Sequence, residues 1–143
     1  MVDTRTAKQR SRIMSRIRGK DTRPEMRVRR IVYGLGYRYR LHRKDLPGQP
    51  DLALAGRRKV IFVHGCFWHQ HEGCRRGQLP KSNLKYWGPK LEENKRRDLA
   101  NQLRLKDMGW EALVVWECET KNIFSLQARI EDFLENSGQS NEY

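Results

Sequence analysis

Between Val60 and Cys74 the chain reads VIFVHGCFWHQHEGC. An apolar, strand-like run empties into His64, His69 and His71, three of the four histidines, and into Cys66 and Cys74, two of the three cysteines. Phe67 and Trp68 sit bare between them. So many soft and titratable side chains directly after a strand suit a metal site or a hydrolytic centre better than a core. Cys66, His71 and Cys74 stand at the short spacings of a metal-binding loop, and the remaining cysteine, Cys118, follows a second apolar run, VVWE. Three thiolates and one imidazole make a closed tetrahedral zinc site, which clips a loop without doing chemistry; three unrelated reduced cysteines are the alternative.

That assignment leaves His64 and His69 free. Asp51, across a predicted hairpin from His64, is the carboxylate placed to meet them, and carboxylate plus histidine can hold Mg²⁺ and activate water. Glu25 is a second candidate, although Thr22-Arg-Pro-Glu25 also reads as a capping box. Spacing alone admits both a hydrolytic set and a satisfied polar loop.

Elements that must position these groups can be read from periodicity. Val28, Ile31, Val32 and Leu35 recur at helical spacing up to Gly36. Tyr37 to Leu41 alternates like a half-exposed strand, and the Leu46-Pro-Gly-Gln-Pro50 loop delivers Asp51 to a strand over 51–55. Gly56-Arg57-Arg58 turns the chain into a strand over 60–63. A basic loop over 75–89 precedes a charged helix over about 90–108, with Leu91, Leu99 and Leu103 expected on its inner side. A strand over 112–116 and an amphipathic helix carrying Ile123, Leu126, Ile130, Phe133 and Leu134 follow. Helices alternating with apolar strands predict an α/β layer fold with a mixed central sheet flanked by helices. We expect a basic N-terminal arm over 1–20, one domain over 21–136 and a frayed tail over 137–143.

The 143 residues carry 30 Lys and Arg against 17 Asp and Glu, a formal charge of +13. Such an excess predicts a polyanionic partner, nucleic acid before a membrane surface, because the N-terminal stretch is polar and basic and no apolar run approaches a span. Three cysteines without a secretory signal point to a reducing, cytoplasmic setting. The Ile13-Met14-Ile17 cluster amid cations fits a short helix that either docks on the domain or presses apolar wedges into a minor groove.

Together LPGQPD (46–51), VIFVHGCFWHQH (60–71), Tyr86-Trp87, Asn94…Arg97-Asp98 and GWEALVVWEC (109–118) resemble the very-short-patch-repair (Vsr) DNA mismatch endonucleases over nearly the whole chain. The resemblance implies a restriction-endonuclease-like fold and a Mg²⁺-dependent enzyme, nucleoid-associated in a bacterial cytosol. Such an enzyme nicks double-stranded DNA 5′ of the thymine in a thymine–guanine mismatch left by 5-methylcytosine deamination. It implies Asp51 and the backbone carbonyl of Val63 as Mg²⁺ ligands, with valine standing where a threonine is familiar. It implies His69 as general base, His64 as a second catalytic histidine, and Glu25 as their assisting carboxylate. Zinc falls on Cys66, His71, Cys74 and Cys118, with one extra loop residue at Glu72-Gly73. A DNA wedge falls on Phe67, Trp68 and Trp87, with Met14 and Ile17 entering from the opposite groove. A monomer is expected, with mismatch-repair proteins as further partners. Rival readings are a zinc-stabilised DNA-binding module without activity and a restriction-type nuclease cutting unmismatched sites.

Overall fold

The computed structural model describes residues 21–136. Thr22 caps the first described helix, α1 (Arg23–Gly34), its hydroxyl accepting the Glu25 N–H at 3.4 Å. Pro24 sits in the first turn, where its missing N–H costs nothing. The Glu25 side chain does not close a capping box. It turns inward and is buried against Arg29 and His42.

Among the described residues four strands make one sheet, in the order β1 (Arg40–Leu41), β2 (Leu52–Leu54), β3 (Lys59–His64), β4 (Glu111–Trp116). The first two pairings are antiparallel and the third, β3 with β4, is parallel. The predicted strand over 37–41 shrinks to two residues, since Tyr37 and Tyr39 pack against the core instead of extending the ladder. Within the loop before Asp51, Gly48 has φ +80°, and a Cβ there would lie 3.0 Å from the Phe62 ring. Only glycine fits that turn without displacing the strand beneath.

Alternation along the strands splits the core into two layers. Leu52, Leu54, Ile61 and Val115 face Val28 and Val32 of α1 and Leu126, Ile130 and Leu134 of α3 (Ile123–Glu135). Ala53, Val60 and Phe62 face the other way, toward Leu46 and toward Leu105 of α2 (Leu84–Asp107). The result is a mixed four-stranded sheet between helices on both faces, the arrangement expected of β3–α2–β4 crossover chemistry. No helix among the described residues is long and apolar enough to cross a membrane.

Helix α2 departs from expectation twice. It begins six residues early, at Leu84, and carries Pro89 inside it. Leu99 and Leu103, expected inward, are exposed. At about 100° per residue, the face containing buried Leu91 and Leu105 also contains Asn94, Asp98, Asn101 and Gln102. Leu99 and Leu103 lie about 100° and 140° from the middle of that face. A search for leucines misplaces this face because its middle is polar, and those polar residues line a cleft.

Lys59, at the start of β3, is buried, and its ammonium donates to the carbonyls of Phe133 and Asn136 at the C-terminal end of α3. A cation there satisfies the last-turn carbonyls and complements the helix dipole. We expect Lys59→Met to destabilise the protein by about 2 kcal/mol, read as a lower urea midpoint with an unchanged slope.

Candidate active site and metal centre

Parallel pairing aligns Val63 with Val115 and His64 with Trp116, so β3 and β4 end together. The chain leaves β3 through a compact loop: the His69 N–H bonds the Gly65 carbonyl, and the His71 N–H bonds the Cys66 carbonyl. Just beyond β4 lies Cys118. Ligand atoms of Cys66, His71, Cys74 and Cys118 all fall within 4.8 Å of one another. His71 Nδ1 is 3.7 Å from Cys66 Sγ and 3.5 Å from Cys118 Sγ, close to the edges of a zinc tetrahedron, roughly 3.5–3.8 Å. The His71 ring stacks on Trp116 at 4.2 Å. The Arg76 backbone N–H, then His71, draws the Cys74 thiol down to about 7, whereas burial pushes the Cys66 thiol up to about 12 and raises that of Cys118, so all three become thiolates together only around a cation. The donor set therefore fits a structural zinc, and the extra residue at Glu72-Gly73 does not open it. Gly77 lies so close that a Cβ there would fall 2.2 Å from the His71 carbonyl oxygen.

Beside this clip, a cleft is lined by Glu25, Asp51, Val63, His64, His69 and Asp98. All four predicted catalytic side chains and Val63 thus meet in one place, but in two groups. In the first, His64 and His69 stack at 3.8 Å, nearly parallel, and His69 Nδ1 lies 2.5 Å from Asp98 Oδ2. His64 is buried, and burial followed by repulsion from His69 depresses its pKa to about 3, so the ring is neutral. Its Nδ1 is buried without a hydrogen-bond partner among the described residues. The second group joins Glu25, His42 and Asp51. Asp51 Oδ2 accepts the Val63 N–H at 2.6 Å, tying the carboxylate of β2's entry to the neighbouring strand. His42 Nε2 lies 2.8 Å from Glu25 Oε2 and 3.8 Å from Asp51 Oδ1. Burial, with Glu25 adding to it, raises the Asp51 pKa to about 6 against the stabilising Val63 N–H. Two carboxylates crowded in a buried pocket fit a divalent cation, whose charge would relieve both.

Asp51 was expected to meet the two histidines directly. Its nearest imidazole is instead His42, and the carboxylate on His69 is Asp98. Spacing held no sign of His42, which sits in the basic run YRYRLHRK. Asp98 stood in the Asn94…Arg97-Asp98 segment that carries the resemblance, but was given no role; the face it shares with Leu91 and Leu105 is what turns it into the cleft.

The aromatics also assemble. Phe67, Trp68 and Trp87 contact one another edge to face, with centroids 5.3–5.6 Å apart, and Tyr86 adds to Trp87 at 4.9 Å. Trp87 therefore belongs to the loop cluster and not to the core. The Asn94 side chain of α2 donates to the Trp68 carbonyl, fixing the tip of the loop. Met14 and Ile17 lie outside the described residues.

The family model of the DNA mismatch endonuclease Vsr matches residues 2–76. The chain is 50% identical over 137 residues to the type II nicking enzyme V.XorIIP of Xanthomonas oryzae pv. oryzae, covering 96% of this chain and 100% of that protein. The chain belongs to the Vsr family. It is therefore a DNA nicking endonuclease, a phosphodiester hydrolase acting on DNA. Other Vsr-family relatives include the type II nicking enzyme V.NmeAIP of Neisseria meningitidis, 43% identical over 122 residues (85% of this chain, 86% of that one). The DNA mismatch endonuclease Vsr of Escherichia coli K12 is 35% identical over 145 aligned residues (98% and 92%).

Two measurements probe the site's geometry. The purified protein is expected to carry one equivalent of zinc, and Cys118→Ser to lose zinc and unfold several degrees lower. Zinc-free wild type of equal stability would refute the cluster as a metal centre. The second concerns Asp51. Its folded pKa lies above the ordinary value, so folding is favoured by the neutral carboxyl below pH ~4, and that advantage is lost as pH rises through about 6. Asp51→Asn, which still accepts the Val63 N–H, should stabilise the Mg²⁺-free, zinc-loaded protein by about 1–3 kcal/mol at pH 7.5 and by far less at pH 4. Neutral His64 works in the opposite sense, losing stability as pH falls below about 6.5 toward 3. Comparing wild type and variant at equal pH cancels that contribution.

Proposed function

We propose that this nicking endonuclease acts on thymine–guanine mismatches left by deamination of 5-methylcytosine, cutting one strand 5′ of the thymine to begin very short patch repair. The observation carrying this reading is the aromatic trio of Phe67 and Trp68, on the same loop as His69, and Trp87, in the first turn of α2, gathered next to the cleft. Mismatched pairs cost less to unstack than matched ones, so an aromatic wedge responds to local weakness in the duplex. Asp51 on a hairpin beside the parallel β3–β4 pair supports a restriction-endonuclease-like reading of the sheet. The mismatch Vsr of Escherichia coli is among the relatives.

In this reading His69 is the general base. Asp98 occupies Nδ1, fixing the tautomer and leaving Nε2 to take a proton from the attacking water. His64, kept neutral by burial, donates one N–H toward the phosphate or the leaving oxygen. Asp51, the Val63 carbonyl and the nearby Glu25 would hold Mg²⁺, and Cys66, His71, Cys74 and Cys118 would hold Zn²⁺. Bound Mg²⁺ supplies Lewis-acid stabilisation of charge on the scissile phosphate. The surplus of cationic side chains favours the DNA backbone, giving affinity that falls with salt.

The test is nicking of duplexes identical except for one pair. A thymine–guanine duplex should be cut on one strand only, in Mg²⁺, and its matched counterpart left intact. Equal cutting of both would sink the mismatch reading and leave a nicking activity without preference for the mismatch. His69→Ala should slow nicking about 10²–10⁴-fold while binding of the mismatched duplex stays near wild type. Trp68→Ala should instead lose preference for the mismatch over the matched duplex.

A further inference from the structure

His42 stands in a backbone conformation that non-glycine residues seldom adopt, φ +48°. It directly follows β1, and the left-handed residue ends the strand and carries the ring toward the cleft carboxylates. Such outliers persist where the surroundings over-determine them, and they concentrate at functional sites. Here the surroundings are specific. The His42 backbone N–H donates to the Asp51 carbonyl at 3.3 Å. The ring Nε2 is buried and makes no aligned hydrogen bond among the described residues, yet it lies 2.8 Å from Glu25 Oε2 and 3.8 Å from Asp51 Oδ1, in contact range of both carboxylates. Glu25 is drawn from its other side by the Arg29 guanidinium, itself anchored to Asp21. Without the imidazole, Glu25 would be left to Arg29, on its own helix.

We propose that His42 is a positioning residue for the divalent cation of the nicking reaction. Its ring holds the Glu25 carboxylate beside Asp51, so that the cation meets two oriented carboxylates and not one. This rests on the reading that Asp51 is a cation ligand. An outer partner that orients ligating groups typically affects metal affinity 10–100-fold, and His42 acts through Glu25 in that way.

The probe is Mn²⁺ alone, titrated by electron paramagnetic resonance into the zinc-loaded protein without DNA. His42→Ala is expected to weaken Mn²⁺ binding about tenfold, and to raise the Mg²⁺ concentration for half-maximal nicking more than it lowers the saturated rate. His42→Gln keeps an N–H donor at similar reach and should recover most of the affinity, whereas Asp51→Asn should abolish it. Thermal unfolding is followed in parallel. If His42→Ala lowers the melting temperature but binds Mn²⁺ like wild type, His42 serves folding only and the proposal fails, with the Asp51 reading intact. If Asp51→Asn itself binds like wild type, the Asp51 reading fails and His42 falls with it. Should His42→Ala not fold, His42→Leu, which fills the space without a donor, takes its place against His42→Gln.

Discussion

Everything at the site depends on the parallel pairing of β3 with β4. Its register sets His64 beside Trp116 and ends both strands at one edge of the sheet. The loop leaving β3 and the turn leaving β4 must then meet, which is why Cys118 closes on Cys66, His71 and Cys74 across more than forty residues of sequence. Carboxyl ends of neighbouring parallel strands are where open α/β sheets make their crevices. Here the crossover helix α2 also returns over that crevice, bringing Asp98 to His69 and Asn94 to the Trp68 carbonyl.

The clip and the cleft divide the labour of one loop. The loop folds back on itself through the Gly65–His69 and Cys66–His71 backbone bonds, so Cys66 and His71 join the clip while His69 reaches α2 and Phe67 and Trp68 reach Trp87. A metal held by these four groups would have no open position for chemistry, but would remove the freedom that otherwise blurs the place of His69. Its value is rigidity.

The cleft strains the fold that supports it. Asp51 and Glu25 are buried together, His64 is forced neutral, and His42 sits in a left-handed conformation. Each arrangement costs stability in the resting protein, and each makes sense beside a multivalent cation and a phosphodiester. The +13 formal charge of the whole chain sets the same preference at long range.

Much of this was legible in the sequence. The α1 stripe, the hairpin, the β4 run and α3 are all short-range patterns of apolar spacing, and the tertiary structure keeps each one. Cys66, His71, Cys74 and Cys118 could be grouped because thiolates and imidazole are rare, with few ways to combine. Asp51, His64 and His69 stood out by chemistry and by resemblance to a family, and the fold gathers them in one cleft. What the sequence could not decide was which polar groups pair. Asp98 and His42 reach the site from α2 and the end of β1; nothing local sets His42 apart from the cations around it, and the segment holding Asp98 carried a resemblance but no pairing. The same ambiguity put Leu99 and Leu103 inside and left Asn94 and Asp98 unplaced, because a helix face that lines a cleft is polar at its centre. Apolar periodicity is written into neighbouring residues; the pairing of charges is set by distances that only the packed sheet and its crossover helix create.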